Sequence, residues 1–347
     1  MKREKWIDIC KAIAILAVII NHSYGSLFHS IKLNQYSLFS VSLFIFLMGV
    51  TLGISYSRTG VQIGRKVLRG ICKILIAYVP CVIVFDCFRE RSFDLIRIAG
   101  HVVRFDASGP HYYVLLYIQL MIISPVLYKW LKTASDRSKV WRSVMITGGM
   151  MIIVLFSIVS VKMTFIAEVY GGARYLFGGT YLIELYLGLI LGVFYPAVNE
   201  RVSDKRIRFA GLSISTVCII GLMCYLWKNG YALDQKLLPQ AALNPPGITL
   251  ILYAGVLMIW IFFLVKSGES SVLTNGFLKP VSVIGQHTLY IFLYHLLFPD
   301  LILPYFENRI LRILIYLPVM ICGPIVIEWI AGRVKTRPIN IYSFREI

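Results

Sequence analysis

The 347 residues are 58% hydrophobic and only 15% charged, with a mean hydropathy of +0.75. A soluble domain of this length needs far more polar surface, so the composition excludes one and predicts a polytopic membrane protein. The formal net charge of +18 invites nucleic acid as a partner, but its distribution along the chain speaks against that.

Ten stretches are long and apolar enough to cross a hydrocarbon core of about 30 Å. They lie near 6–25, 37–57, 71–88, 112–131, 143–161, 179–197, 209–227, 247–265, 281–298 and 310–331. The expectation is an all-α transmembrane bundle of about ten spans over residues 1–331, followed by a short basic tail over 332–347. The first stretch opens Trp6-Ile7-Asp8-Ile9-Cys10-Lys11 and ends Asn21-His22. Lys11 and His22 are eleven positions apart, close to three turns of helix, so both emerge from one face with Asp8 one turn before Lys11. Ionisable groups near the centre of a span cost roughly 2.5–3.5 kcal/mol each and usually face a cavity or a partner. The charged start and apolar core resemble a signal peptide, but no clear small-x-small cleavage site follows, and an uncleaved span is expected.

With the Lys2-Arg3-Lys5 end placed in the cytoplasm, alternation puts four basic clusters inside. They are Arg58 to Lys73, Lys129 to Arg142, Arg201 to Arg208, and the tail residues Arg333 to Arg345. On the other side Arg89, Arg91, Arg97 and Arg104 are offset by Asp86, Glu90, Asp94 and Asp106. This positive-inside bias predicts cytoplasmic termini and a multi-pass protein of the cytoplasmic (cell) membrane, with no nucleic-acid partner. Trp6, Trp130, Trp141, Trp227 and Trp329 fall near span ends, where an interfacial aromatic belt is expected; Trp260 does not. The seven cysteines are scattered, without metal-ligand spacing, and read as small packing residues. The connections 88–111 and 228–246 are too short for a separate domain, and Asn244-Pro245-Pro246-Gly247 in the second is a strong helix breaker.

Several motifs together resemble the membrane acyltransferase-3 family, whose members O-acylate sugars and cell-envelope glycans. Asp8, Lys11 and His22 stand where that family has Asp, a basic residue and, after ten intervening residues, His; the family usually has Arg in place of Lys11. Leu43 to Gly49 resembles the second-span signature with Met48 replacing its Ser, and Arg65-Lys66-Val67-Leu68-Arg69 the basic cytoplasmic motif. Pro110-His111-Tyr112-Tyr113 resembles the fourth-span opening with Tyr113 in place of Trp. Tyr186-Leu187-Gly188 looks like the sixth-span glycine motif, and Gly285 to His295 like the late Gly/Ser/Tyr/His span.

The resemblance implies an O-acyltransferase that uses acetyl-CoA or another acyl-CoA as co-substrate and a glycan or lipid-linked sugar as acceptor, with no metal. His22 would be the general base, with Lys11 and Asp8 as its catalytic companions. Arg65, Lys66 and Arg69 would bind the donor phosphates, and His111, Tyr113, Tyr290 and His295 the acceptor. Each group has a plainer reading. His22 and His295 could hydrogen-bond neighbouring helices, and Asp8 and Lys11 could neutralise one another at i,i+3. The basic loop could be anchoring alone, and the tyrosines interface residues. A glycan-precursor transporter or flippase, with the stripe lining its path, is the main rival. A non-enzymatic assembly or sensor protein is the second. No appended outer hydrolase-like domain is expected.

Overall fold

Apolar runs of helical length, broken by Pro, Gly and charged turns, fold into helices throughout the computed structural model. It describes residues 4–59, 62–163, 175–237, 243–268, 272–302 and 308–335, and no β-strand forms among them. In chain order the helices are α1 (Lys5–His22), α2 (Ile31–Ser37), α3 (Ser40–Thr59), α4 (Ile63–Glu90), α5 (Leu95–Arg104), α6 (Tyr112–Ser135) and α7 (Lys139–Lys162). They continue with α8 (Tyr181–Val193), α9 (Tyr195–Arg201), α10 (Lys205–Asn229), α11 (Ala232–Leu237), α12 (Ile248–Gly268), α13 (Val272–Gln286), α14 (Thr288–Tyr294), α15 (Leu297–Ile302) and α16 (Arg309–Lys335).

All ten expected stretches are helical, but they are not equivalent. Among the described residues seven helices are long and apolar enough to cross a membrane, and the α8–α9 pair, bent by 63°, makes an eighth if it counts as one span. The chain is a multi-pass membrane bundle. The stretch near 281–298 is interrupted at His287, where φ −106° and ψ 12° separate α13 from α14. The first stretch carries Lys5, Asp8 and Lys11 within one short helix, and the fold does not show it to lipid. Trp6 to Cys10, Ala12, Ala14, Ile15 and Ala17 to Ile19 are all buried, so α1 is the central helix of the bundle. From residue 336 onward the expected tail lies outside the described residues.

One end of the bundle is fixed by polar contacts around the start of α1. Glu4 accepts from the Tyr195 hydroxyl (2.7 Å) and pairs with Lys266 Nζ (3.5 Å). Arg208 donates to the Lys266 carbonyl (3.0 Å). The starts of α1, α9 and α10 and the end of α12 therefore share this basic end, and α4 begins there with Arg65 and Arg69. At the far end the connection between α4 and α6 closes on itself. Asp94 caps α5 through Ile96 N (2.9 Å), Arg97 grips Asp86 with Nε and Nη2 (2.9 Å each), and His101 meets Asp106 (2.7 Å).

The tryptophans divide. Trp130, Trp141, Trp227 and Trp329 are exposed, as a belt requires, but Trp6 is fully buried. Its indole N–H donates to Tyr195 (3.0 Å) and its ring packs edge-on against Phe262 (5.1 Å). A tryptophan at the end of a central helix meets protein rather than the headgroups.

The closest helix pair is α3 with α8. Gly49 and Gly53 on one face Gly188 and Gly192 on the other: a Cβ at Gly49 would lie 2.8 Å from Gly188 Cα, and one at Gly53 would lie 2.9 Å from Gly192 Cα. Both helices carry the G-x-x-x-G spacing that lets backbones approach where lipid offers no hydrophobic drive to associate. Gly49→Leu should destabilise the protein in detergent by about 1–3 kcal/mol, the usual range for overpacking. Gly221→Leu, at a position with nothing near its Cβ, should leave the melting temperature unchanged.

Candidate functional site

Two cavities open on opposite halves of α1. The first, of about 280 Å³, lies toward the basic end. Lys11 enters it from α1, Thr51, Met48 and Phe44 from α3, Gly70 and Lys73 from α4, Tyr113 and Tyr117 from α6, and Gln286, Thr288, Leu289 and Phe292 from α13–α14. These side chains converge because α1 and α13 touch backbone to backbone: a Cβ on Gly285 would sit 3.0 Å from Asp8 Cα and collide with the Asp8 carbonyl. Gly285 thus sets Gln286 and Thr288 beside Lys11. Asp8 itself is 3% exposed and does not line the cavity.

The second cavity, of about 210 Å³, lies at the far end of α1 and holds His22, Ser23 and Ser26 with Arg89, Leu296, Pro299 and Tyr316. His22 is exposed into it. Beside His22 stands His295, fully buried, with ring centroids 5.3 Å apart. His295 Nδ1 donates to the Phe292 carbonyl (2.8 Å), which leaves Nε2 as a bare acceptor; no hydrogen-bond partner reaches that atom.

A run of ring contacts links the cavities. Phe292 lines the first cavity and packs on Tyr113 (4.8 Å), Phe44 (6.5 Å) and His295 (6.2 Å). The contacts therefore run Lys11 cavity, Phe292, His295, His22, far cavity. Along α1 the two ionisable ends are separated by roughly 16 Å at ~1.5 Å rise per residue.

The remaining residues expected at the site are placed as follows. Lys66 lines neither cavity; its ammonium donates to the Ser55 carbonyl (2.9 Å) and hydroxyl (2.6 Å), tying α4 to α3. Arg65 and Arg69 are exposed on α4, two turns and one turn before the cavity-lining Lys73. His111 is buried edge-on between Tyr78 and Phe85 (5.3 Å each), with Nε2 3.7 Å from Cys81 Sγ. Tyr290 stacks on Tyr294 (6.0 Å). Neither lines either of these two cavities. Tyr113 does, but in the basic-end cavity rather than at a far-side mouth.

Residues that sequence reasoning missed are Lys73, Thr51, Tyr117, Gln286, Thr288 and Phe292 in one cavity and Arg89 and Tyr316 in the other. Lys73 had a signal, since it extends the i,i+4 series of Arg65 and Arg69. Among the described residues no group of three or more His, Cys, Asp or Glu is placed to hold a metal ion. The arrangement combines a cation and polar lining at one end, an imidazole at the other and a run of ring contacts between them.

Cysteine labelling tests this two-sided layout. With the seven native cysteines replaced, Lys73→Cys should react with a membrane-impermeant maleimide only from the cytoplasmic side and Ser26→Cys only from outside. Labelling of both from the same side would refute it.

A family model described as an acyltransferase domain matches residues 4–329, a stretch that includes every residue lining either cavity. No curated protein and no solved structure matches the chain.

Proposed function

Since the chain belongs to the acyltransferase-3 family and is a membrane acyltransferase, we propose that it moves an acetyl group from acetyl-CoA, entering at the cytoplasmic end, to a hydroxyl of a cell-envelope glycan or lipid-linked sugar at the far end. The observation that carries this reading is the pair of cavities on one helix, with a cation in one and an exposed imidazole in the other.

The basic-end cavity suits an acyl-CoA. Arg65 and Arg69 on the approach and Lys73 at the wall offer convergent cations for a pyrophosphate and a 3′-phosphate. Gln286, Thr288 and Lys11 supply polar contacts for the amide-bearing arm behind the thioester. A lysine places charge there without the planar fork of an arginine, so Lys11 acts as a point charge toward the arm's carbonyl oxygens while the thioester itself extends past Phe292 to His22. The thioester supplies an activated acyl carbon. His22 takes the proton from the acceptor hydroxyl as the new C–O bond forms and the C–S bond breaks, and the proton then passes to the departing thiolate, giving an ester and free CoA. His295 keeps its own proton on the Phe292 carbonyl and offers only a lone pair beside His22, which holds the pair to one mobile proton. Asp8 belongs to the packing of α1 on α13 and acts on catalysis through Lys11.

Phe292 lines the basic-end cavity and packs on His295, so in this reading the acyl group passes that ring. Phe292→Ala should raise hydrolysis of acetyl-CoA in the absence of acceptor, measured as thiol release by the purified protein; unchanged release would show that the ring does not control passage. His22→Ala should lower transfer of labelled acetyl to membrane glycans by about 10²–10⁴, the usual contribution of a general base, with acetyl-CoA binding retained. Undiminished transfer would remove His22 as the base.

A further inference from the structure

The far-end cavity carries more than a base. Arg89, at the last turn of α4, is steered into it from two directions: Nη1 donates to the Ala107 carbonyl (3.0 Å), and the guanidinium lies over the Phe85 ring (5.5 Å). Across the cavity stands Tyr316 of α16, fully buried, with a hydroxyl that no hydrogen-bond partner reaches. A buried hydroxyl without a partner is costly in a finished structure, and Tyr316 lines the chamber of about 210 Å³ that also holds His22. The remaining wall is Ser23, Ser26, Leu27, Leu296 and Pro299, two hydroxyls and three apolar side chains with no carboxylate among them.

A neutral sugar hydroxyl needs only the imidazole and a hydrogen-bonding partner. A fixed guanidinium beside them adds recognition of an oxyanion, which arginine binds better than any other side chain. We infer that the acceptor is anionic: a sugar that carries a carboxylate or a phosphate, whose charge is held by Arg89, whose ring oxygens meet the Tyr316 hydroxyl, and whose free hydroxyl is thereby presented to His22. This rests on the acyltransferase reading and narrows its acceptor class.

Purified full-length protein in phosphatidylcholine nanodiscs is titrated with methyl glucuronide, glucose 1-phosphate and methyl glucoside, with binding read by calorimetry. The expected result is binding of at least one charged sugar about tenfold or more tighter than the glucoside, with the preference abolished in Arg89→Gln and partly kept in Arg89→Lys. Preference for the glucuronide alone identifies a uronic-acid type of acceptor, and preference for the sugar phosphate alone a phosphorylated one. Tyr316→Phe, which leaves the Ala107 contact intact, should weaken both charged sugars severalfold. Equal binding of charged and neutral sugars, no binding of either, or a preference that survives Arg89→Gln overturns the inference. An acetyl-CoA titration of the same wild-type sample separates the two levels: absence of donor binding refutes the acyltransferase mechanism proposed above, whereas donor binding with no charge preference refutes only the anionic acceptor.

Discussion

The structure depends on helix backbones that touch. In a bilayer, apolar side chains gain nothing by leaving lipid for protein, so helices associate where small residues let their main chains approach. Gly49 and Gly53 against Gly188 and Gly192 lock α3 to α8, and Gly285 against the Asp8 carbonyl locks α13 to α1. The second contact allows a charged helix to exist at the centre. Asp8 and Lys11 in lipid would cost several kcal/mol together; enclosed by α3, α13 and α12, α1 shows them a packed interface and a polar cavity instead.

That enclosure makes the chemistry possible and also divides it. With α1 running from Lys11 in one cavity to His22 in the other, the same helix presents a lysine at the basic end and an imidazole at the far end. Phe292, braced by Tyr113 and Phe44, stands in the run of contacts between them. In the proposed transfer, a thioester behind that ring is shielded from water at the far end, and the histidines from solutes at the basic end. Separation of this kind suits the proposed transfer better than one open tunnel, which would leak small solutes and hydrolyse a thioester.

What the sequence made legible follows physical lines. The stripe of Asp8, Lys11 and His22 is a one-helix pattern, and helical periodicity places such residues without knowledge of neighbours; α1 indeed carries Lys11 and His22 into cavities. Contacts that depend on a partner helix were not legible. His111 is buried against Tyr78, Phe85 and Cys81, because α4 and the turn before α6 close over it. Lys66, in a basic motif, donates to the Ser55 carbonyl and hydroxyl. Trp6 reads as an interface anchor because it begins a span, and only the central position of α1 explains why it is buried. The glycine spacings at 49/53 and 188/192 are visible in the chain, but which helix meets which is a tertiary fact. Arg89 shares a charge-balanced outer connection with several ions, and it is the packing of α16 that sets it opposite Tyr316.

The break at His287 ties these threads together. Non-helical backbone at membrane depth leaves amide and carbonyl groups that lipid cannot satisfy, and it is tolerated where it is buried in protein or lines a wet cavity. Here the residues flanking the break, Gln286 and Thr288, both line the basic-end cavity, and His287 itself is held by Glu328 (2.8 Å). A continuous helix through 272–302 would carry Phe292 and His295 round to a different face from Gln286. The interruption lets one segment supply polar lining for the basic-end cavity, the aromatic ring of Phe292 beside it and the histidine next to that ring. The broken helix and the glycine contact just before it therefore act as one device: Gly285 brings the segment against α1, and the turn at His287 redirects it so that both halves of α1 have a partner.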